Sequence, residues 1–306
     1  MELQQMRYVI AVAETNNFTR AAERCLVVQS ALSHQIARLE KELGAKLFER
    51  TSRRVRLTDA GAAFLPAARQ CLEAAERAAA EVAAAVGDIR GRLTVGLIPT
   101  VAAVDVPAAL QEFRTRHPHV RIALRAGASE NLIEDVKNGT IDVAFIGLPV
   151  TSDPQGVRSR KLAHDRLVAV VAPDHPLAVR NSVDLVRLSS EVFVDLPPGT
   201  AGRAQADQAF TAAGLTRDVA FEVTTAYLIA RLVEQRLAIA MLASAYVPQL
   251  TGVTTIDVTD APTRAEHIIW SRTGSTPAAR AFLAIVDTSV SSDPGAAGAA
   301  NAPNLR

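Results

Sequence analysis

Cysteine is nearly absent from this sequence. The 306 residues contain two, Cys25 and Cys71, far apart. That excludes a disulfide-braced secreted scaffold and a cysteine metal site, and fits a reducing, cytoplasmic compartment. None lies beyond position 71, so thiol sensing in the C-terminal part is not expected; oxidation of Cys71 between two copies is the one redox route left. No apolar run approaches a membrane span, and the opening MELQQMRYVIAVAETNN has periodic apolar residues rather than the continuous core of a signal peptide. Gly-x-Ser-x-Gly, a phosphate loop and paired cysteines are also missing. The six histidines (34, 117, 119, 164, 175 and 267) make no metal-ligand spacing. No enzyme, cofactor or metal site is therefore expected, and a cofactor-binding enzyme carried beside a DNA-targeting module lacks its fingerprint.

Net charge is lacking too, at +1, which taken alone speaks against a nucleic-acid partner. The average hides segregation. Residues 1–58 hold ten Lys/Arg against six Asp/Glu, a local +4, and the remainder is slightly acidic. Hydrophobic residues reach 49%, ample for a core in each of two domains.

Within residues 1–58, Leu3, Met6, Ile10 and Ala13 share one helical face. Phe18, Ala21, Ala22, Cys25 and Leu26 give a second short helix. Val28, Leu32, Ile36, Leu39 and Leu43 give a third, closed by Gly44. The alternating AKLFERTSRRVRLT then reads as a two-stranded wing carrying four arginines in the seven residues of RTSRRVR. The third helix turns Ser30, Ser33, His34, Ala37 and Lys41 away from its buried stripe. Short polar side chains let a helix approach base edges closely in the major groove, and Gln29 can pair with adenine in a bidentate way. Arginines of the wing suit phosphates or a narrow minor groove. Candidate DNA contacts are Thr19, Arg20, Gln29, Ser30, Ser33, His34, Arg38, Arg50, Arg53 and Arg54.

From 59 to 86 almost every residue favours helix. Leu65, Ala68, Leu72, Ala75, Ala79, Val82 and Val86 follow steps of three and four, a coiled-coil seam, with Leu65, Leu72, Ala79 and Val82 as candidate dimer contacts. Pro66 bends the first turns or sits early enough to be tolerated. GDIRG, residues 87–91, reads as a hinge. Beyond it, RLTVGLI, VRIALRAG and IDVAFIGL are strands separated by helices, the second helix with Ser129 as N-cap and Gly139 as stop. A further series starts near Leu167 (LVAVVAP) and continues through EVFVDL, DVAFEV and LAIAML. Such strand–helix units predict a parallel sheet in an α/β domain. AEHIIWSR and the helix TPAARAFLAIVDTSV return to the first half, and residues 291–306 lack a core pattern and read as a disordered tail.

The segments FTRAAERCLVVQSALSHQIARLEKELGAKLFER and VRLTDAGAAFLPAARQ resemble the LysR-type transcriptional regulators, and the likeness extends over residues 1–290. It implies an α/β fold class with a winged helix-turn-helix (1–58), a linker and dimerisation helix (59–86), a hinge (87–91), and an effector-binding domain (92–290). That domain would hold two Rossmann-like subdomains similar to periplasmic binding proteins, one about 92–162 with 267–290, the other about 163–266. The resemblance further implies a homodimer, commonly a tetramer. The partners it implies are double-stranded DNA at an interrupted palindromic promoter site, a small-molecule effector, and RNA polymerase where the regulator activates, with no membrane contact. The family's usual Gly-x-Gly and Pro are replaced by Arg236, Ala238 and Ala243.

In paired α/β subdomains, ligands lie outside the C-terminal ends of strands, where helix N-termini favour an anion. Thr100, Ser129 and Thr200 stand at three such junctions, and each hydroxyl also suits an ordinary cap. Gly147 and Leu148, with Ile146, are expected as an apolar wall, Tyr227 as a hydroxyl donor, and Arg203 as a counter-charge. The effector class expected is an organic acid or other anion. The rival is an architectural DNA-binding protein without an effector.

Overall fold

The computed structural model describes residues 1–50 and 54–291, arranged as two compact units, Met1–Gly87 and the chain from Asp88 onward. Arg53 and most of the expected tail lie outside the described residues.

The first unit runs α1 (Leu3–Thr15), α2 (Phe18–Arg24), α3 (Gln29–Leu43), β1 (Phe48–Arg50), β2 (Val55–Leu57) and α4 (Asp59–Ala85). Local chemistry sets the breaks. Asn16 leaves α1 in the left-handed conformation, the Asn17 carboxamide accepts from Arg20 N at the start of α2, and Gly44 at φ 69° ends α3. The Thr58 hydroxyl accepts from Gly61 N at 3.0 Å to open α4, and Pro66 lies inside that helix without ending it. Val9, Val12, Ala21, Leu32, Ile36, Leu39, Leu47 and Phe48 form the core. The wing is antiparallel, Phe48 facing Leu57.

Two parts of the expected pattern are corrected. The buried face of α1 is Met6, Val9 and Val12 with Gln5, Tyr8 and Ala11, while Leu3 is exposed. This helix packs against α2, α3 and α4 at once, so its buried arc is wide and rotated from the stripe read in the sequence. Leu26 is 92% exposed and Val28 69% exposed, and Leu43 at the end of the expected α3 stripe is exposed as well. Leu26 sits in the turn at φ 56°, where a helical projection no longer applies.

In the second unit, β3 (Gly91–Leu97), α5 (Val106–Arg116), β4 (Val120–Ala126), α6 (Ser129–Lys137) and β5 (Val143–Pro149) form right through from the alternation of apolar strand and amphipathic helix. There follow β6 (Arg158–Val171), β7 (Ser182–Val183), α7 (Leu185–Leu188), β8 (Val192–Asp195), α8 (Ala201–Ala212), β9 (Asp218–Glu222), α9 (Ala226–Glu234), β10 (Ala240–Ala243), β11 (Thr254–Val258), β12 (Thr263–Trp270) and α10 (Pro277–Ser291). The main sheet has the order β4-β3-β5-β12-β6-β11-β7, with β10 also on β6, and β8 pairs with β9.

The expected parallel sheet holds for β4-β3-β5 and for β8-β9, but β12 is antiparallel to both β5 and β6. Strand β6 begins nine residues before the expected Leu167. Its first half pairs with β12 and its second with β10 and β11, so one strand serves both halves. Two aromatic centres mark the two cores. Phe282 meets Phe113 and Phe145 edge-on in one, and Phe193 meets Phe210 in the other. The second α/β helix starts on Ala128 as N-cap, so Ser129 is not the cap expected.

Candidate functional site

Two surfaces carry chemistry, one in each unit. In the first, Gln29, Ser30, His34, Ala37, Arg38 and Lys41 are exposed along α3, with Ser33 half-buried among them. Thr19 and Arg20 are exposed at the start of α2, and the Arg20 guanidinium donates to the Thr15 carbonyl at 3.1 Å. Arg50 closes β1, and Arg54 and Arg56 are exposed on the other side of the wing. The unit thus carries exposed arginines on its wing and an exposed polar face on α3; Arg53 lies outside the described residues.

Sequence reasoning missed Glu40. It belongs to the inward side of α3, one helical turn after Ile36, and is 3% exposed. Its carboxylate accepts from Leu47 N at 3.0 Å, Phe48 N at 3.3 Å and Lys46 Nζ at 2.9 Å, tying α3 to the wing. Burial alone would push this carboxyl up, but those donors outweigh it and hold it below the usual glutamate range. The spacing Ile36–Glu40 was the available signal.

On α4, Leu65 and Leu72 are half-buried, Ala79 is exposed and Val82 is 71% exposed. Ala68 is buried within the unit, where α4 packs on α1. The first turns of the seam are therefore partly used inside one chain, and the later ones stand open.

The second surface is a cavity enclosing about 460 Å³, part of it open to solvent. It lies at the C-terminal ends of strands, bounded by Pro99 and Thr100 after β3, Ala128 and Ser129 at α6, Gly147 on β5, Thr200 to Gly202 at α8, and Arg264 on β12. Two helix N-termini, α6 and α8, face it, each with a positive dipole end. Leu167, Met241, Leu242 and Ala243 supply the apolar side. Thr100, Ser129 and Thr200 do converge here, with different tasks. The Ser129 hydroxyl donates to the Gly147 carbonyl at 3.0 Å and accepts from Gly147 N at 3.2 Å, fastening α6 to β5. The Thr200 hydroxyl donates to the Pro197 carbonyl at 3.0 Å and caps nothing. Thr100 accepts from Arg264 Nη1 at 3.0 Å.

Four expected residues are elsewhere, among them Ile146, which is buried in the core rather than on the lining. Leu148 follows Gly147 on a strand, so it points to the opposite face, into the core with Ile98 and Leu132. Tyr227 is 70% exposed in the first turn of α9 and does not line the cavity. Arg203 also lies off the lining. It bonds Asp207 at 2.8 Å, and at 3.3 Å each the Leu196 carbonyl and Glu222. Arg236 stands at φ 58°, a left-handed position that suits the glycine it replaces, and its Nε donates to Asp174 at 2.9 Å. Ala243, replacing proline, lines the cavity.

The cavity's own cation is one that sequence reasoning missed. Arg264 is 4% exposed and Glu266, two residues on along the same strand face, is 3% exposed. Nη2 of Arg264 stands 3.6 Å from Glu266 Oε2. Burial pushes the Glu266 carboxyl up, opposed by Arg264 and by the amides of Ala102 and Ala103. Burial lowers the Arg264 value, opposed by Glu266 and Asp165, yet a guanidinium remains charged. On the cavity lining, Asp195 pairs with Arg217 at 2.7 Å, and Arg217 lies over the Phe193 and Phe210 rings.

Residues 3–62 match the family model described as bacterial regulatory helix-turn-helix protein, lysR family, and residues 87–290 match the LysR substrate binding domain. The chain is 33% identical over 258 residues to the transcriptional dual regulator GltC of Bacillus subtilis, covering 84% of this chain and 86% of that protein. It is 33% identical over 296 residues to the Hca operon transcriptional activator HcaR of Escherichia coli, covering 95% and 99%. Among solved structures, full-length CbnR complexed with its target DNA superposes with a TM-score of 0.70 at 27% identity, covering 94% of this chain and all (100%) of that one.

Proposed function

Because the chain belongs to the LysR-type family of transcriptional regulators, non-enzymatic DNA-binding proteins with a C-terminal effector-binding domain, we propose that it switches transcription when a small organic acid or other anion enters the cavity bounded by Thr100, Ser129, Gly147 and Thr200. The observation that carries this reading is the convergence of two helix N-termini and one buried guanidinium on a single cavity. Each favours negative charge, and together they leave a neutral ligand poorly served.

The remaining parts of the reading follow from the family. Winged helix-turn-helix heads on 1–58 grip two half-sites of an interrupted palindrome, with Gln29, Ser30, Ser33 and His34 reading bases and Arg50, Arg53 and Arg54 holding phosphates. The 59–86 helix joins two chains through Leu65, Leu72, Ala79 and Val82, residues 87–91 act as hinge, and pairs of dimers make a tetramer. Subdomains of about 92–162 with 267–290, and 163–266, close on the effector. An activating regulator of this kind contacts RNA polymerase. Among the described residues no helix is long and apolar enough to cross a membrane, and the working compartment proposed is the cytoplasm.

A thermal-shift screen of small acids on the full chain, followed by footprinting with and without each hit, tests the reading. A stabilising acid that alters the footprint supports it. Acids that neither stabilise the protein nor alter the footprint leave the architectural, effector-free alternative.

A further inference from the structure

We propose that Arg264 receives the acid group of the effector, through Nε and Nη2, and that the effector is a monocarboxylic acid with a small apolar body; this rests on the cavity reading above. Arg264 lines the cavity and is more than nine-tenths buried. Nη1 donates to the Thr100 hydroxyl at 3.0 Å, and Nη2 faces the Glu266 carboxylate at 3.6 Å. Among the described residues Nε and Nη2 have no hydrogen-bond partner, and these two nitrogens form the edge of a guanidinium that holds a carboxylate with two parallel bonds. A buried donor pair left idle is costly, and here it belongs to a side chain that lines a cavity, which points to an acceptor that arrives from outside.

The neighbouring carboxylates do not fill that role. Glu266 lies beyond hydrogen-bond distance, and its oxygens accept instead from the amides of Ala102 at 3.1 and 3.3 Å and Ala103 at 3.2 Å. Asp165, opposite Arg264 across the sheet, accepts from the Ser244 hydroxyl and from the amides of Arg166 and Ala245. Asp195 is paired with Arg217. Main chain closes one side of the guanidinium. A Cβ at Gly147 would stand 2.7 Å from Nη2 and 2.9 Å from Cζ, so the guanidinium lies against a backbone that only glycine leaves bare.

The same inventory sets the ligand class. One idle cationic edge matches one acid group. Glu266 and Asp165 set negative charge against it, which disfavours a second anionic group in the same space. The opposite wall is Leu167, Met241, Leu242 and Ala243, which suits a compact apolar body. Glu266 acts as a resident competitor: its charge faces the incoming carboxylate and weakens its hold.

Calorimetric titration of the full chain with sodium benzoate and propanoate, their neutral amides, succinate and inorganic phosphate tests the assignment. The monoacids should bind, and the amides and dianions should bind at least about tenfold more weakly. Arg264→Gln risks leaving Glu266 buried without a counter-charge, so the double variant Arg264→Gln/Glu266→Gln accompanies it as a neutral pair. Both should lose roughly 30-fold or more in benzoate affinity, and Glu266→Gln alone should gain a few-fold. Benzoate binding unchanged in the double variant overturns the assignment, as does benzamide binding as tightly as benzoate, or silence from every probe. Preference for phosphate or succinate overturns the monoacid class and leaves the cavity reading standing. Gly202→Trp isolates that reading, since a Cβ at Gly202 meets nothing within 4 Å and an indole there fills the cavity. If this variant binds benzoate like the parent, the cavity itself is wrong.

Discussion

Replacing Glu40 separates two physical effects that meet at one side chain. Its carboxylate bonds two buried main-chain amides, Leu47 N and Phe48 N, and one lysine whose side chain is 74% exposed. The Lys46 pair is therefore screened by water and contributes at most about 1 kcal/mol. The amides differ. Removing their acceptor strands two buried donors, each at about 1–3 kcal/mol, reduced for Phe48 N because its bond is longer. Glu40→Ala should accordingly cost roughly 2–4 kcal/mol, Glu40→Gln about 1–2 kcal/mol because one acceptor oxygen remains, and Lys46→Ala under about 1 kcal/mol. Urea titration of the full chain, followed on the helical signal of the first unit, reads all three. The pH dependence has a fixed sign. The folded carboxyl is held below its ordinary value, so its contribution is complete above the unfolded glutamate value of about 4.3 and is lost as pH falls through the lower folded value. Because Leu47 and Phe48 lead into the wing, Glu40→Ala should also weaken DNA binding at neutral pH. A Lys46→Ala variant as unstable as Glu40→Ala would refute the reasoning, by placing the energy in the ion pair.

Val28 stands at the N-cap of α3 with extended backbone and no side-chain cap. Val28→Ser should raise stability by about 1 kcal/mol in thermal melts, and no rise would mean the cap is already satisfied otherwise. Arg54→Ala should weaken binding to specific and random duplexes alike and flatten the salt dependence by up to about 0.9 in log–log slope for one lost phosphate contact; an unchanged slope removes this part of the wing from the interface. Leu72→Glu should dissociate the proposed dimer in sedimentation and lower operator affinity, since a carboxylate in an apolar seam is costly without a partner. A fully dimeric variant would transfer the seam elsewhere on the chain.

Much of the architecture was legible because it obeys local periodicity. The stripe Leu32–Ile36–Leu39 fixes how α3 is turned, which leaves Ser30, His34 and Ala37 outside. The apolar strands β3, β5 and β10 announce themselves as runs bounded by turns. What was not legible depends on long-range pairing. The stretch RSRKLAHDR reads as solvent-facing polar chain, yet it is the first half of β6, given its place by β12 about a hundred residues later. Leu148 was misassigned by a single step of strand parity, since adjacent residues face opposite sides and only the sheet's neighbours say which side holds the cavity. Ser129 sits where a cap is expected, but its hydroxyl finds a better pair of partners in the Gly147 main chain than the helix itself offers. Arg203 met an i+4 aspartate on its own helix, a pairing the sequence does contain.

Arg264 and Glu266 illustrate why the central cation of a site can be hidden in plain sequence. TRAEHIIW alternates at its start like a half-exposed edge strand, and charged residues two apart there suggest a wet face. Instead β12 lies in the middle of the sheet, between β5 and β6, and both charges are buried. The pairing with β6 shifts register between Glu266 and His267: Glu266 faces Ala163, whereas His267 faces Lys161, leaving Leu162 as an extra residue on the partner strand. A bulge of this kind bends the ladder and re-aims the side chains on either side of it. It falls where β12 passes from the cavity, lined by Arg264, to the core, filled by Ile268 and Ile269. The aim of the buried cation is therefore set partly by an irregularity in a different strand, contributed by a leucine that is itself buried in the core. No pattern within β12 encodes that, so a binding group placed this way becomes visible only when the pairing is known.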